Sequence, residues 1–239
     1  MVESHSLAVR TSVSSMRVSA VCISRNPETW DISDVPFHNH TEGWKPFQHE
    51  QTTERVAYLA ERRNVAVARA LHLYPETQHI LMIDSYYLHQ KTEILGLINE
   101  YHRLIAMEPR GIILGASTWI EDRTRIWPRK HFFDGWTTPE ANKITLEHAL
   151  SNGGVLSVKA VGGCYLYPRR VWEQVGYKVQ ADLHGCEHNW LCEGSGLPVF
   201  LTLNEVLWHD KVVYPWLKRI RCSLHLGRVK GRTAKNKTG

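Results

Sequence analysis

Apolar and polar positions switch along the chain between the period of a strand and that of a helix. RVSAVCIS (17–24) is a β-rich run that stops at Arg25-Asn26-Pro27, which predicts a strand followed by a turn. Residues 28–50 hold Trp, His, Pro and Asn without a period and read as loop. Over 52–73, Val56, Leu59, Ala60, Val67, Ala70 and Leu71 recur at helical spacing until Pro75 stops them. That pattern fits one helix, or two broken near Arg63-Asn64. HILMI (79–83) then reads as a short buried strand, KTEILGLINEYHRL (91–104) as an amphipathic helix and GIILGAS (111–117) as the next strand. Residues 119–138 set Trp119, Trp127 and Trp136 among arginines and a proline, which is loop chemistry. A helix is predicted near 139–151, ending at Asn152-Gly153-Gly154, and a strand pair within 155–167. Pro168 opens a short helix in RRVWEQVG, and short strands follow around 198–202 and 205–208.

Strands alternating with helices predict an α/β layered fold with a mostly parallel central sheet flanked by helices. Ligands of such sheets bind beyond the carboxyl ends of the strands. Asp84, which ends HILMID, stands at one such end. The apolar run buries the strand, and the carboxylate at its tip faces the crevice. An aspartate at a strand end serves equally well as a turn former or helix cap, so position alone does not make it chemical.

Composition adds limits. A chain of 239 residues suits one sizeable domain with small appendages, read here as a flexible leader (1–16), a body (17–217) and a basic tail (218–239). No apolar stretch reaches the length of a membrane span, and the start lacks the apolar core of a secretory signal. Five scattered cysteines argue against a disulfide framework and for a reducing, cytoplasmic setting. The net charge is +5, yet the eight basic residues from Lys218 onward meet no acid. The rest of the chain, with 21 basic and 24 acidic residues, is mildly acidic. The tail is a solvated terminus or a contact for an anionic surface, whether lipid, nucleic acid or diphosphate.

The segment 161–210, VGGCYLYPRRVWEQVGYKVQADLHGCEHNWLCEGSGLPVFLTLNEVLWHD, resembles the glycosyltransferases of the GT-A fold, in particular the inverting, family-2-type enzymes. Gly162, Gly163, Arg169, Arg170, Val171, Trp172, Val175 and Gly176 match the glycine-containing strand and the segment after it. Gly196 and Val199 match a later strand, and His209 the terminal histidine. Upstream, Arg63-Asn64 resembles the Arg-Asn pair ahead of the metal-site strand, and HILMIDSYY the apolar strand ending in Asp-x-Asp. The resemblance implies transfer of a sugar from a nucleotide-diphosphate donor to a hydroxyl acceptor (glycan, lipid, protein or nucleic acid), with Glu187 as general base. It implies donor contacts by Asp84, Ser85, Arg25, Asn26, Arg63 and Asn64, and acceptor contacts by Gly162 and Gly163. Asp84 and His209 would hold a divalent cation, Mn²⁺ or Mg²⁺.

The chemistry fits those residue types. A departing diphosphate gathers negative charge that a metal or cationic groups must balance, and the acceptor must lose its proton to a carboxylate within reach. One position departs from the pattern: Tyr86 stands where a second aspartate is expected, and a phenol is a poor ligand for a hard cation. Three accounts stay open: Asp84 and His209 hold the ion with the donor phosphates, arginines or lysines replace it, or activity has been lost. In the last case the chain would be a non-catalytic nucleotide-sugar or glycan-binding module. A third class, nucleic-acid binding through the basic tail, predicts steep salt dependence. Trp119 and Trp127 would offer flat faces to a sugar. His184, Cys186, His188 and Cys192 crowd together, and three of them would share one face of a continuous helix, but their spacing fits no common zinc module.

Overall fold

The computed structural model describes residues 16–25, 28, 30–32, 34–43, 52–122, 129–132, 154–179 and 186–208, with backbone alone at 119–122 and 129–132. Strand β1 (Val18–Ile23) is buried along its whole length and pairs in parallel on both sides, with β2 (Phe37–His40) and with β3 (His79–Asp84). Between β2 and β3 runs one helix, α1 (Thr53–Leu73). Thr52 caps it by accepting the Arg55 N–H at 3.1 Å. Val56, Ala60, Arg63, Val67, Ala70 and Leu71 are buried on a continuous stripe. Arg63 lies on that stripe, which is why the apolar pattern falters there while the helix continues.

After β3 come a 3₁₀ turn (Ser85–Tyr87), helix α2 (Lys91–Ile105), and β4 (Ile113–Asp122), which pairs with β5 (Arg129–Phe132). Then follow β6 (Val155–Ser157), β7 (Cys164–Pro168), α3 (Arg169–Gln174), α4 (Glu187–Ser195) and β8 (Val199–Trp208). Among the described residues the sheet has eight strands in the order β2-β1-β3-β7-β4-β8-β6, with β5 attached to β4. The mostly parallel sheet expected from the sequence is in fact mixed. β1, β2 and β3 are mutually parallel, as are β4 and β8, but β7 runs antiparallel between β3 and β4, and β6 runs antiparallel to β8.

Alternation along each strand sorts the core into two layers. Val21, Ile23, Ile80, Met82, Tyr165 and Tyr167 face the side covered by α1, α3 and α4. Ala20, Cys22, Leu81, Ile83, Cys164 and Leu166 face α2, where Ile94, Leu97, Ile98 and Tyr101 meet them. Asp84 continues the Ile80–Met82 parity and so belongs to the α1 side.

Three further expectations need correction. Residues 37–40, read as loop, form the edge strand β2. Its sequence FHNH has little apolar content because an edge strand is only half covered. The loop over 119–138 gives way to the β4–β5 pairing as far as Asp122 and Phe132. The two short strands near 198–208 are one strand, whose pairing with β4 jumps from Ala116↔Thr202 to Ser117↔Val206. The Ser117 hydroxyl donates to the Glu205 carbonyl across that jump, at 3.0 Å. The predicted helix near 139–151 lies outside the described residues.

Candidate functional site

The carboxyl ends of β2, β1 and β3 come into register in one row, with Ile23 paired to His40 on one side and to Asp84 on the other. Asp84 is fixed there by its own N–H, which donates to the Gly163 carbonyl at 2.7 Å as the chain enters β7. Gly163 adopts φ +67°, and a Cβ at that position would press on the Tyr87 ring at 3.2 Å. A glycine is therefore required beside Asp84 on two counts. Gly162 is buried next to it, and Ser85 is half-buried at the start of the 3₁₀ turn. Tyr86, in the place of a second aspartate, is 45% exposed.

Arg63 reaches this edge from α1. Its Nε donates to Glu187 Oε1 at 2.9 Å, its Nη2 to Asp84 Oδ1 at 3.3 Å and to His188 Nε2 at 3.1 Å. The side chains of Arg63 and Glu187 are 4% and 2% exposed, and that of Asp84 is 26% exposed. Two carboxylates distant in sequence thus converge on one buried guanidinium. Glu187 is the first residue of α4, where the helix dipole also favours a negative charge. Burial pushes its carboxyl pKa up, but its interactions with His188 and with the Arg63 guanidinium outweigh that and hold it below the usual range. With one cation against two carboxylates, the cluster carries a net charge of −1, and the unbalanced part falls on the partly exposed Asp84.

A directional chain of hydrogen bonds backs the guanidinium. Arginine has no acceptor, so His188 Nε2 must accept, and the ring is neutral with its proton on Nδ1. Burial and the Arg63 charge accordingly push the His188 pKa down to about 4. Nδ1 then donates to the Tyr165 hydroxyl at 2.7 Å, which lies 2.7 Å from the Tyr177 hydroxyl, itself 3.0 Å from that of Tyr167. Burial raises the pKa of all three phenols well above the usual tyrosine value, so they stay protonated.

Asp84, Arg63, Glu187, Gly162, Gly163 and Ser85 are therefore brought together. Asn64 is not part of this group. Its carboxamide oxygen accepts from Trp172 Nε1 at 3.0 Å and from the Tyr177 N–H at 2.9 Å, and its nitrogen donates to the Tyr177 carbonyl at 2.8 Å. All of its polar atoms serve to brace the turn after α3. Arg25 is exposed at the tip of β1. Trp119 has a described backbone in β4, while Asn26, Trp127 and His209 lie outside the described residues, as does the tail 218–239.

Tyr165 and Tyr177 were not singled out by sequence reasoning, and His188 was singled out only as a member of the crowded 184–192 cluster. The one signal available was the i, i+2 spacing of Tyr165 and Tyr167, which puts two phenols on one face of a buried strand. Cys186, Glu187 and His188 do offer ligand atoms within 4.8 Å of one another, a group able to hold a metal. Arg63 donates to two of those three side chains, so a metal ion would have to displace a guanidinium. Of the residues 184, 188 and 192 expected to share a helical face, His188 and Cys192 lie in α4, which starts at Glu187, and His184 lies outside the described residues.

No protein-family model matches the chain, and no curated protein matches it. Among solved structures it is similar to the crystal structure of A197 from STIV, with a TM-score of 0.38 and 10% identity over 78% of this chain and 81% of that one. A likeness of that size carries no argument about activity. Among the described residues no helix is long and apolar enough to cross a membrane.

Proposed function

We propose that the chain is a GT-A-type glycosyltransferase that moves a sugar from a nucleotide-diphosphate donor to a hydroxyl acceptor, with inversion. The observation that carries this reading is the convergence of Asp84 and Glu187 on Arg63, at the carboxyl edge of the parallel strands. Asp84 contacts the donor at the rim. Its partial exposure and the net negative charge around it suit a hard cation such as Mn²⁺ or Mg²⁺, completed by donor phosphates and water. Such an ion would neutralise the charge that builds on the leaving diphosphate. Glu187, kept ionised by Arg63, accepts the acceptor proton, and Arg63 keeps the two carboxylates apart in role by pairing closely with one and loosely with the other.

A second reading rests on two specific observations: the near-complete burial of Glu187 in its ion pair, and Tyr86 in place of an acidic ligand. Under it the chain binds a nucleotide sugar or glycan without turning it over. The two readings part on a donor-hydrolysis assay with Mn²⁺, run beside a thermal-shift screen of nucleotide diphosphates and their sugars. A transferase consumes the donor slowly without acceptor, and Glu187→Gln stops this while donor binding persists. Binding without turnover favours the module. No binding of any nucleotide diphosphate removes the transferase and the nucleotide-sugar form of the module. Contact of the basic tail with nucleic acid is a separate proposal, tested by salt-dependent DNA binding with and without residues 218–239.

A further inference from the structure

β2 carries a second polar cluster that the Asp84–Glu187 site does not use. His38 and His40 are two apart on the strand, so both rings stand on the face that α1 covers, with centroids 6.3 Å apart. His40 is 3% exposed. Even so, His38 Nε2, both ring nitrogens of His40 and Nε of Arg62 are buried without a hydrogen-bond partner. Buried polar atoms in native proteins are normally satisfied, and four orphans on β2 and the helix that covers it call for a missing partner.

Charge decides what that partner is. The cations Arg62 and Arg69 of α1 act on His40, and Arg69 acts on His38. Glu42 is the carboxylate whose charge reaches both rings. It is held by Arg69 at 2.7 Å, and its influence ranks behind that of the arginines. The remaining nitrogens of Arg62 are engaged, Nη1 with the Glu42 carbonyl at 3.2 Å and Nη2 with Glu61 at 2.8 Å, which leaves Nε–H alone unmatched. The potential at the rings is positive, which disfavours a metal ion despite the two imidazoles. Burial first, then these charges, lower both imidazole pKa values, so each neutral ring keeps one N–H to donate. His38, His40 and Arg62 therefore each hold an N–H that an acceptor-only group would satisfy.

We propose that His38, His40 and Arg62 form a binding site for an oxyanion of the phosphate type, either free phosphate or the phosphate of a larger ligand. Through the pairing of Ile23 with both, His40 lies two strand spacings, roughly 10 Å, from Asp84. The site stands whether or not the chain transfers sugars.

The test follows the histidine ring signals of the full chain by NMR during titration with sodium phosphate, at ionic strength held constant with sodium chloride. Saturable shifts confined to His38 and His40 are expected. Binding should weaken about tenfold or more in Arg62→Gln, as loss of one charge-assisted hydrogen bond predicts. His38→Gln, at the less buried ring, is the second variant if Arg62→Gln unfolds. A parallel titration with a nucleoside diphosphate separates the sources: response to inorganic phosphate marks a free-ion site, and response to the nucleotide alone marks a site for a phosphate-bearing ligand. Shifts that only track ionic strength, that persist in both variants, or that Zn²⁺ saturates instead of phosphate would overturn the proposal.

Discussion

Arg63 Nε and Glu187 Oε1 lie 2.9 Å apart inside the protein, and this contact ties the middle of α1 to the first residue of α4. A buried ion pair gains little over apolar packing, but removing one member strands the other in a medium that cannot solvate it. Arg63→Met should therefore cost about 3–5 kcal/mol of stability in urea unfolding. The double variant Arg63→Met/Glu187→Met should recover a large part of that loss. A single-variant loss below about 1 kcal/mol would mean that Glu187 finds another partner or water.

Asp84 should behave in the opposite way. Its ion pair is longer, at 3.3 Å, and more open to water, so Asp84→Asn should change stability by less than about 1 kcal/mol. Binding of a nucleotide diphosphate in the presence of Mn²⁺, read by calorimetry, should fall at least about tenfold. Unchanged affinity would remove Asp84 from the donor site.

Asn64 is the control for the pair. Loss of its three hydrogen bonds in Asn64→Ala should cost about 2–3 kcal/mol. Donor affinity, measured well below the melting temperature, should stay within about threefold of the wild type. A large loss of affinity with little loss of stability would restore the donor-contact role that the sequence suggested.

Acid should act through His188 before it acts through Glu187. His188 has its folded pKa depressed from 6.5 to about 4, so between those values the unfolded chain binds the proton more readily. Stability is full above pH 6.5 and falls as pH drops towards 4, by roughly 3 kcal/mol from this one group. Glu187, whose carboxyl is also lowered in the fold, adds its loss only below about pH 4.5. Chemical denaturation between pH 7 and 4 should show a shallower slope for His188→Gln than for the wild type. Part of the slope should remain, because His79 is depressed to about 4 as well, chiefly by burial.

The sequence made the buried parts of this architecture readable and hid the edges. β1, β3 and α2 are long enough and apolar enough for their period to stand out. β2 was missed because FHNH owes its strand state to pairing with β1 rather than to its own side chains. The direction of β7 was equally hidden, since a fully buried strand reads the same whichever way it runs. At the site, Asp84 was legible because it ends a buried apolar strand at a carboxyl end of the sheet, where ligands of such folds bind. Arg63 was legible only as part of a pair with Asn64, and the two turned out to have separate tasks. Local spacing marked His188 for a zinc face and not for its contact with Arg63, because that contact depends on a guanidinium 125 positions away in sequence.

The reversal of β7 governs how this molecule can change over time. A sheet of purely parallel strands offers its carboxyl rim only departing backbone, and each departing loop must travel back over a helix. Here β7 arrives at the rim instead, and it enters through two glycines that carry no side chain to defend. Directly ahead of that entrance Ala160 and Val161 are buried in the core and β6 holds to β8, so the approach to the rim is itself anchored. What the rim accepts is therefore hard to alter at Gly162, where the arriving strand and its approach are both part of the scaffold.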